Sequence, residues 1–228
     1  MAPTLPVPHP PTHTVLTTPI PIHFTLFHWI LLLFVLSKNG WRPAHIAARD
    51  DASGEKLKLI IDAWPSCIDL QDDGKHTPLI TAALCRNVAC VKVLLLAGCD
   101  QHLKIKHVRG AGLCENAVHA AVVGNGSSEH GNTKDGIECL KLLIAAECNI
   151  GLQNEKGFVP LHYAVAFQGK QCNLDYVKVL LAGGCDVHIK NCTDMTKRTH
   201  AQGETNNTAL MFAEKHGHGE CSAFLEKL

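Results

Sequence analysis

At 228 residues, with 46% hydrophobic residues and 5% aromatics, the chain has the apolar content of a folded protein, which excludes disorder for its bulk. Its 21 Lys and Arg balance 21 Asp and Glu, so no global basic field drives phosphate binding and no nucleic-acid partner is expected. Eleven cysteines, an odd count in a chain too long to need a disulfide framework, ask for another explanation.

Seven of the eleven prolines (Pro3, Pro6, Pro8, Pro10, Pro11, Pro19 and Pro21) crowd the first 21 residues. Fixed φ and missing N–H donors forbid regular structure there, so 1–21 reads as a Pro-rich disordered tail. From Ile20 to Leu36 the chain is almost wholly apolar. A helix of that length reaches roughly 26 Å at about 1.5 Å per residue, short of the ~30 Å hydrocarbon core. His23 and His28 interrupt it, no Lys or Arg precedes it, and Lys38 and Arg42 follow it. The positive start and small-residue end of a cleaved signal are both missing. Two readings of 22–37 therefore stay open: a hydrophobic helix capping the domain that follows, or an anchor whose charge bias keeps that domain in the cytosol.

One pattern then returns five times. It runs Arg42-Pro43-Ala44-His45-Ile46-Ala47-Ala48, Thr77-Pro78-Leu79-Ile80-Thr81-Ala82-Ala83, Asn116-Ala117-Val118-His119-Ala120-Ala121, Val159-Pro160-Leu161-His162-Tyr163-Ala164 and Thr208-Ala209-Leu210-Met211-Phe212-Ala213. A second apolar stripe follows each, such as Val91-Lys92-Val93-Leu94-Leu95-Leu96 or Val177-Lys178-Val179-Leu180-Leu181, and most end in a small residue and an acid or amide, as in Gly98-Cys99-Asp100 and Gly184-Cys185-Asp186. A Thr or its substitute caps a short helix whose first-turn Pro loses no needed hydrogen bond, and the Ala pair permits close helix approach. The second helix buries one Leu face and ends in left-handed Gly. One unit cannot bury its own apolar face, so units must stack.

These residues resemble the ankyrin repeat at T-P-L-H-x-A, V-V-x-L-L-L and G-A-D, over roughly 39–228. The resemblance implies an all-α repeat solenoid of stacked helix-turn-helix units with β-hairpin-type loops, the units lying near 39–72, 73–107, 112–153, 154–191 and 205–228. The starts at 42, 77, 116, 159 and 208 are 35 to 49 residues apart, beyond the family's roughly 33, so the excess is inserted loop. It is assigned to Gly124–Gly136, to the stretch around Gln168 to Asn173, and to about Cys192 to Thr205. Arg42 departs from the pattern at Thr, and Ile80 and Met211 depart from it at His.

In repeat alignment Cys90, Cys139 and Cys221 share one position, and Cys99, Cys148 and Cys185 share another where the family has Ala. Equivalent positions in stacked units lie about 10 Å apart, too far for a disulfide or a shared metal. Buried free thiols suit a reducing compartment. His216-Gly217-His218 falls on the family's G-H turn, and His45, His119 and His162 are a whole unit or more apart, so none forms a ligand set. No phosphate loop, H-E-x-x-H, G-x-S-x-G or kinase motif is present. No catalytic residue, cofactor or metal is expected.

By resemblance, partner-contacting positions include the residue before each element, Trp41, His76, Glu115 and Phe158 (with Asn207), and those beyond the Ala pair, Arg49, Leu84, Phe167 and Lys215 with their neighbours. Trp, Phe and Arg are the types that anchor interfaces. The basic stretch Lys104–Arg109 offers an acidic peptide a further contact. The expectation is a monomeric, cytoplasmic, non-enzymatic module holding a protein or peptide on its concave face. The alternatives are a membrane-anchored regulatory protein with its repeats in the cytosol, and a fragment of a larger multidomain signalling protein.

Overall fold

The computed structural model describes residues 40–105, 115–124, 133–166, 173–191 and 206–228. Residues 1–39, with the tail and the apolar segment, lie outside this set. Among the described residues ten α-helices form five antiparallel pairs: α1 (Pro43–Asp50) with α2 (Glu55–Ala63), α3 (Pro78–Leu84) with α4 (Val88–Leu96), α5 (Ala117–Val123) with α6 (Thr133–Ala145), α7 (Pro160–Ala166) with α8 (Leu174–Ala182), and α9 (Ala209–Lys215) with α10 (Gly219–Leu225). Helices α1, α3, α5, α7 and α9 pack in series as an inner layer, and the even-numbered helices in series as an outer one. The core runs continuously between the layers through Leu57, Leu94, Leu140, Leu143, Leu161 and Leu180. No unit has a closed core of its own, as expected of a quasi-one-dimensional stack.

The inner helices begin as the sequence predicts. Thr77 Oγ1 accepts from Ile80 N–H at 3.3 Å, Asn116 Oδ1 from His119 N–H at 3.0 Å, and Thr208 Oγ1 from Met211 N–H at 3.4 Å. Where Arg42 and Val159 stand at the capping position, the His45 and His162 N–H groups donate to their carbonyls instead, and each ring binds the capping residue's own N–H: His45 Nδ1 accepts from Arg42 N–H and His162 Nδ1 from Val159 N–H, both at 3.2 Å. The outer helices end in Schellman-type turns. Cys99, Cys148 and Cys185 N–H donate five residues back to Leu94, Leu143 and Leu180 carbonyls, after left-handed Gly98, Glu147 and Gly184. The first and last pairs are exceptions: Pro65 cannot continue α2, and a single 3₁₀ turn, Pro65–Cys67, follows, while α10 ends at Glu226 in right-handed backbone.

Two expectations are corrected. The β-hairpin-type loops are not there: the described residues contain no strand. In three of the connections a side-chain oxygen takes the N–H that a second strand would have paired. Asp72 N–H donates to His76 carbonyl, but His76 N–H returns to Asp72 Oδ1 at 2.8 Å. Asn154 repeats this with Phe158, and Asn191 with Asn207; the Asp72, Asn154 and Asn191 carbonyls accept instead from Lys75, Gly157 and Asn206 N–H inside the turn, so no ladder extends from it. The second correction concerns Gly124–Gly136: α6 begins at Thr133, inside the stretch read as loop, with Asp135 in its first turn complementing the helix dipole.

Candidate partner-binding face

Three of the residues that precede the caps of the inner helices are held by a histidine from an earlier unit. His45 Nε2–H donates to the His76 carbonyl at 2.9 Å and His162 Nε2–H to the Asn207 carbonyl at 3.1 Å; His119 Nε2 lies 3.2 Å from the Phe158 carbonyl. All three imidazoles are buried. Burial lowers the pKa of His45 and His162 and drives His119 down to about 4, so each ring bridges as the neutral form. Side-chain amides brace the turns as well: Gln71 reaches the Lys104 carbonyl, Gln153 that of Lys190, and Asn116 that of Asn149.

On this frame the proposed contact residues do not converge into one pocket. Trp41 and Arg49 meet, with the guanidinium carbon 4.6 Å from the ring centroid, and Arg49 also makes a two-point ion pair with Asp50 at 2.6 and 2.8 Å. Trp41 is half-buried while Arg49 and Asp50 are exposed. His76 is half-buried, its Nδ1 3.3 Å from Asp72 Oδ1. Leu84 is half-buried against the core. Glu115 is half-buried and its carbonyl accepts from Ile105 N–H. Lys215 is exposed, and Phe167 lies outside the described residues.

Phe158 sits in a ladder of rings that sequence reading missed. Its centroid is 5.6 Å from His162, 5.6 Å from Tyr163 and 5.4 Å from Phe212. Phe212 in turn stacks on His216 at 6.3 Å, and His216 on His218 at 6.1 Å. The available signal was the x of T-P-L-H-x-A, which is aromatic in two consecutive units, as Tyr163 and Phe212. The ladder ties the last two units together and leaves one half-buried edge of Phe158 for contact. In the middle of the inner layer, α5 is buried along its whole length and α3 is buried except for half-buried Leu84. Exposed side chains come from its ends: Arg49 and Asp50 on α1; Met211, Glu214 and Lys215 on α9.

Among the described residues the cysteines are packing residues, and one of them is also disulfide-bonded. Cys67, Cys85, Cys90, Cys99, Cys139, Cys148 and Cys185 are free and buried. Burial pushes the thiols of Cys90, Cys99 and Cys139 up to about 12 and those of Cys67, Cys148 and Cys185 up to about 11, so these six are poor nucleophiles. Cys221, expected to be free, is disulfide-bonded, and its partner is not among these seven. Among the described residues no group of three or more His, Cys, Asp or Glu could hold a metal ion, and no helix is long and apolar enough to cross a membrane.

A family model described as "Ankyrin repeats (3 copies)" matches residues 24–105 and 130–227. The unmatched gap contains α5, which nevertheless packs between α3 and α7 as the inner helix of the third pair. With capped inner helices, Schellman-ended outer helices and histidine bridges repeating along a matched stack, the chain belongs to the ankyrin-repeat family.

Proposed function

We propose that the stack is a non-enzymatic interaction module that holds a protein or peptide along the inner layer and its turns, touching Trp41, His76, Glu115 and Phe158 and the helix ends at Arg49, Leu84, Phe167 and Lys215. The observation that carries this reading is that the carbonyls of His76, Phe158 and Asn207 are fixed by bridges from preceding units. The contact positions are thereby preorganised, and binding forfeits little backbone entropy. The ends of the inner layer add two groups with interface chemistry: Trp41 under Arg49, and the half-buried Phe158 ring against Phe212 of α9, whose Met211 and Lys215 are exposed. The protein acts as a cytoplasmic monomer in this reading. The family match starts at residue 24, which supports counting the apolar segment with the stack rather than as an anchor.

The test is affinity capture with the full chain, comparing wild type with Trp41→Ala and with Arg49→Glu plus Lys215→Glu. All three changes are at side chains outside the buried core, so circular dichroism should be unchanged. The expected result is loss of the same captured partners in both variants. Undiminished recovery by folded variants counts against this face.

A further inference from the structure

The imidazoles that bridge the units are not chemically equivalent. In His45 and His162 the Nδ1 lone pair accepts a backbone N–H, from Arg42 and Val159, while Nε2–H donates to the following unit. A neutral ring fills both roles; a second proton on Nδ1 sets donor against donor at the start of α1 and of α7 and drives the buried, now charged ring from its seat, which takes Nε2–H away from the next unit's carbonyl. His119 differs, because its Nδ1 lies 2.9 Å from Asn116 Oδ1 and its Nε2 3.2 Å from the Phe158 carbonyl. Both of its nitrogens face oxygen, so a second proton breaks neither contact. Between the second and third pairs the equivalent residue is Ile80, buried and without a titrating group. We propose that acid releases the two terminal pairs, α1–α2 and α9–α10, while α3 to α8 stay stacked.

The charged surroundings divide in the same way. His45 feels Asp72 and His76 on the turn leading into α3, and Arg42 at the start of its own helix. Asp72 favours a charged ring and so resists release, whereas His76 and Arg42 promote it. His162 faces His119 on α5, and towards α9 it meets the Asn207 carbonyl and the Phe212 ring at 5.6 Å. The charged residues of α8 and α9, Asp175, Lys178, Glu214 and Lys215, are exposed. His119 has His162 as its charged neighbour and is the ring burial holds lowest, so the central interface keeps its neutral bridge longest. Among the described residues α1–α2 and α9–α10 each pack on one neighbouring pair where the inner pairs pack on two, so a broken bridge is a larger share of what holds them.

Hydrogen exchange on the full chain, corrected for intrinsic rates and run under reducing conditions to free Cys221, tests this. Between pH 7 and pH 5 protection should fall by about tenfold or more in α1, α2, α9 and α10, and by less than about twofold in α3 to α8. In His45→Gln/His162→Gln, whose amides donate and accept without titrating, the terminal helices should no longer respond to pH. Equal acid sensitivity in that variant would mean simple end fraying and overturn the proposal, as would loss of protection in α3 to α8 first. If the variant does not fold, proton NMR of the wild-type imidazoles decides: His45 and His162 should titrate together with the loss of terminal protection and before His119, and His119 titrating first would be fatal.

Discussion

Glu147 occupies left-handed backbone, at φ 59°, where Gly98 and Gly184 end the equivalent helices. A side chain there costs about 1–2 kcal/mol through contact of Cβ with the backbone, partly offset because glycine loses more freedom on folding. Glu147 is exposed, so removing its side chain forfeits no packing. Glu147→Gly should therefore raise stability by about 0.5–1 kcal/mol in a urea titration with an unchanged slope. A loss would mean that the carboxylate makes a contact outweighing the strain. The same residue-by-residue view shows how far sequence carried. The cysteine positions were legible because Cys99, Cys148 and Cys185 follow Schellman glycines or their substitute, a local pattern. The disulfide of Cys221 was not legible, because repeat register describes packing and not the distance between two sulfurs. The ring ladder around Phe158 was half-legible: Tyr163 and Phe212 are visible as aromatics at one repeat position, but their meeting with Phe158 requires the stacking distance.

Among the elements, α4 and α8 begin in chemically similar ways and should respond very differently to the same truncation. Asn87 Oδ1 accepts from Cys90 N–H, and its amide also donates to the carbonyls of Ala48 and Asp51 in the first pair. Asn173 caps α8 through Asp175 and Tyr176 N–H, at 3.2 and 3.4 Å, and is half-buried. Asn87→Ala deprives buried carbonyls of their donor as well as the helix of its cap, and should cost about 2–4 kcal/mol; Asn173→Ala loses the cap alone, about 1 kcal/mol. Chemical denaturation of the two variants side by side checks this, and equal losses would show that the inter-unit brace adds nothing. The elements also explain the hairpin error. Asp72-Asp73-Gly74-Lys75 and Asn154-Glu155-Lys156-Gly157 are hairpin-turn sequences by composition. The acid or amide that marks the turn also takes the N–H of the fifth residue, and its carbonyl accepts from the fourth, so the second backbone bond closes the turn and starts no strand.

For the whole molecule, acid stability is set by the sign of the histidine shifts. His45, His119 and His162 all have folded pKa values below the unfolded 6.5, so between 6.5 and the folded values the unfolded chain binds more protons. Their contribution is complete above pH 6.5 and is lost as pH falls. For His119, whose folded value is about 4, the loss is on the order of 3 kcal/mol by the time pH reaches that value. Asp51 and Asp72 are held below the usual carboxylate value, by hydrogen bonds that outweigh burial, and their contribution is lost only below pH 3.8. Asp69, raised by burial, works in the opposite sense and weakens the folded state as it ionises. Unfolding free energy should accordingly be flat from pH 8 to about 7 and then fall through pH 5, before the carboxylates titrate. Because a stack divides its stability among interfaces, the fall should come with a broadened transition and a smaller denaturant slope rather than a simple shift of midpoint. A curve that stays level down to pH 4 would mean that the imidazoles are accessible to protons in the native stack, and that their bridges to the next unit do not depend on the neutral ring.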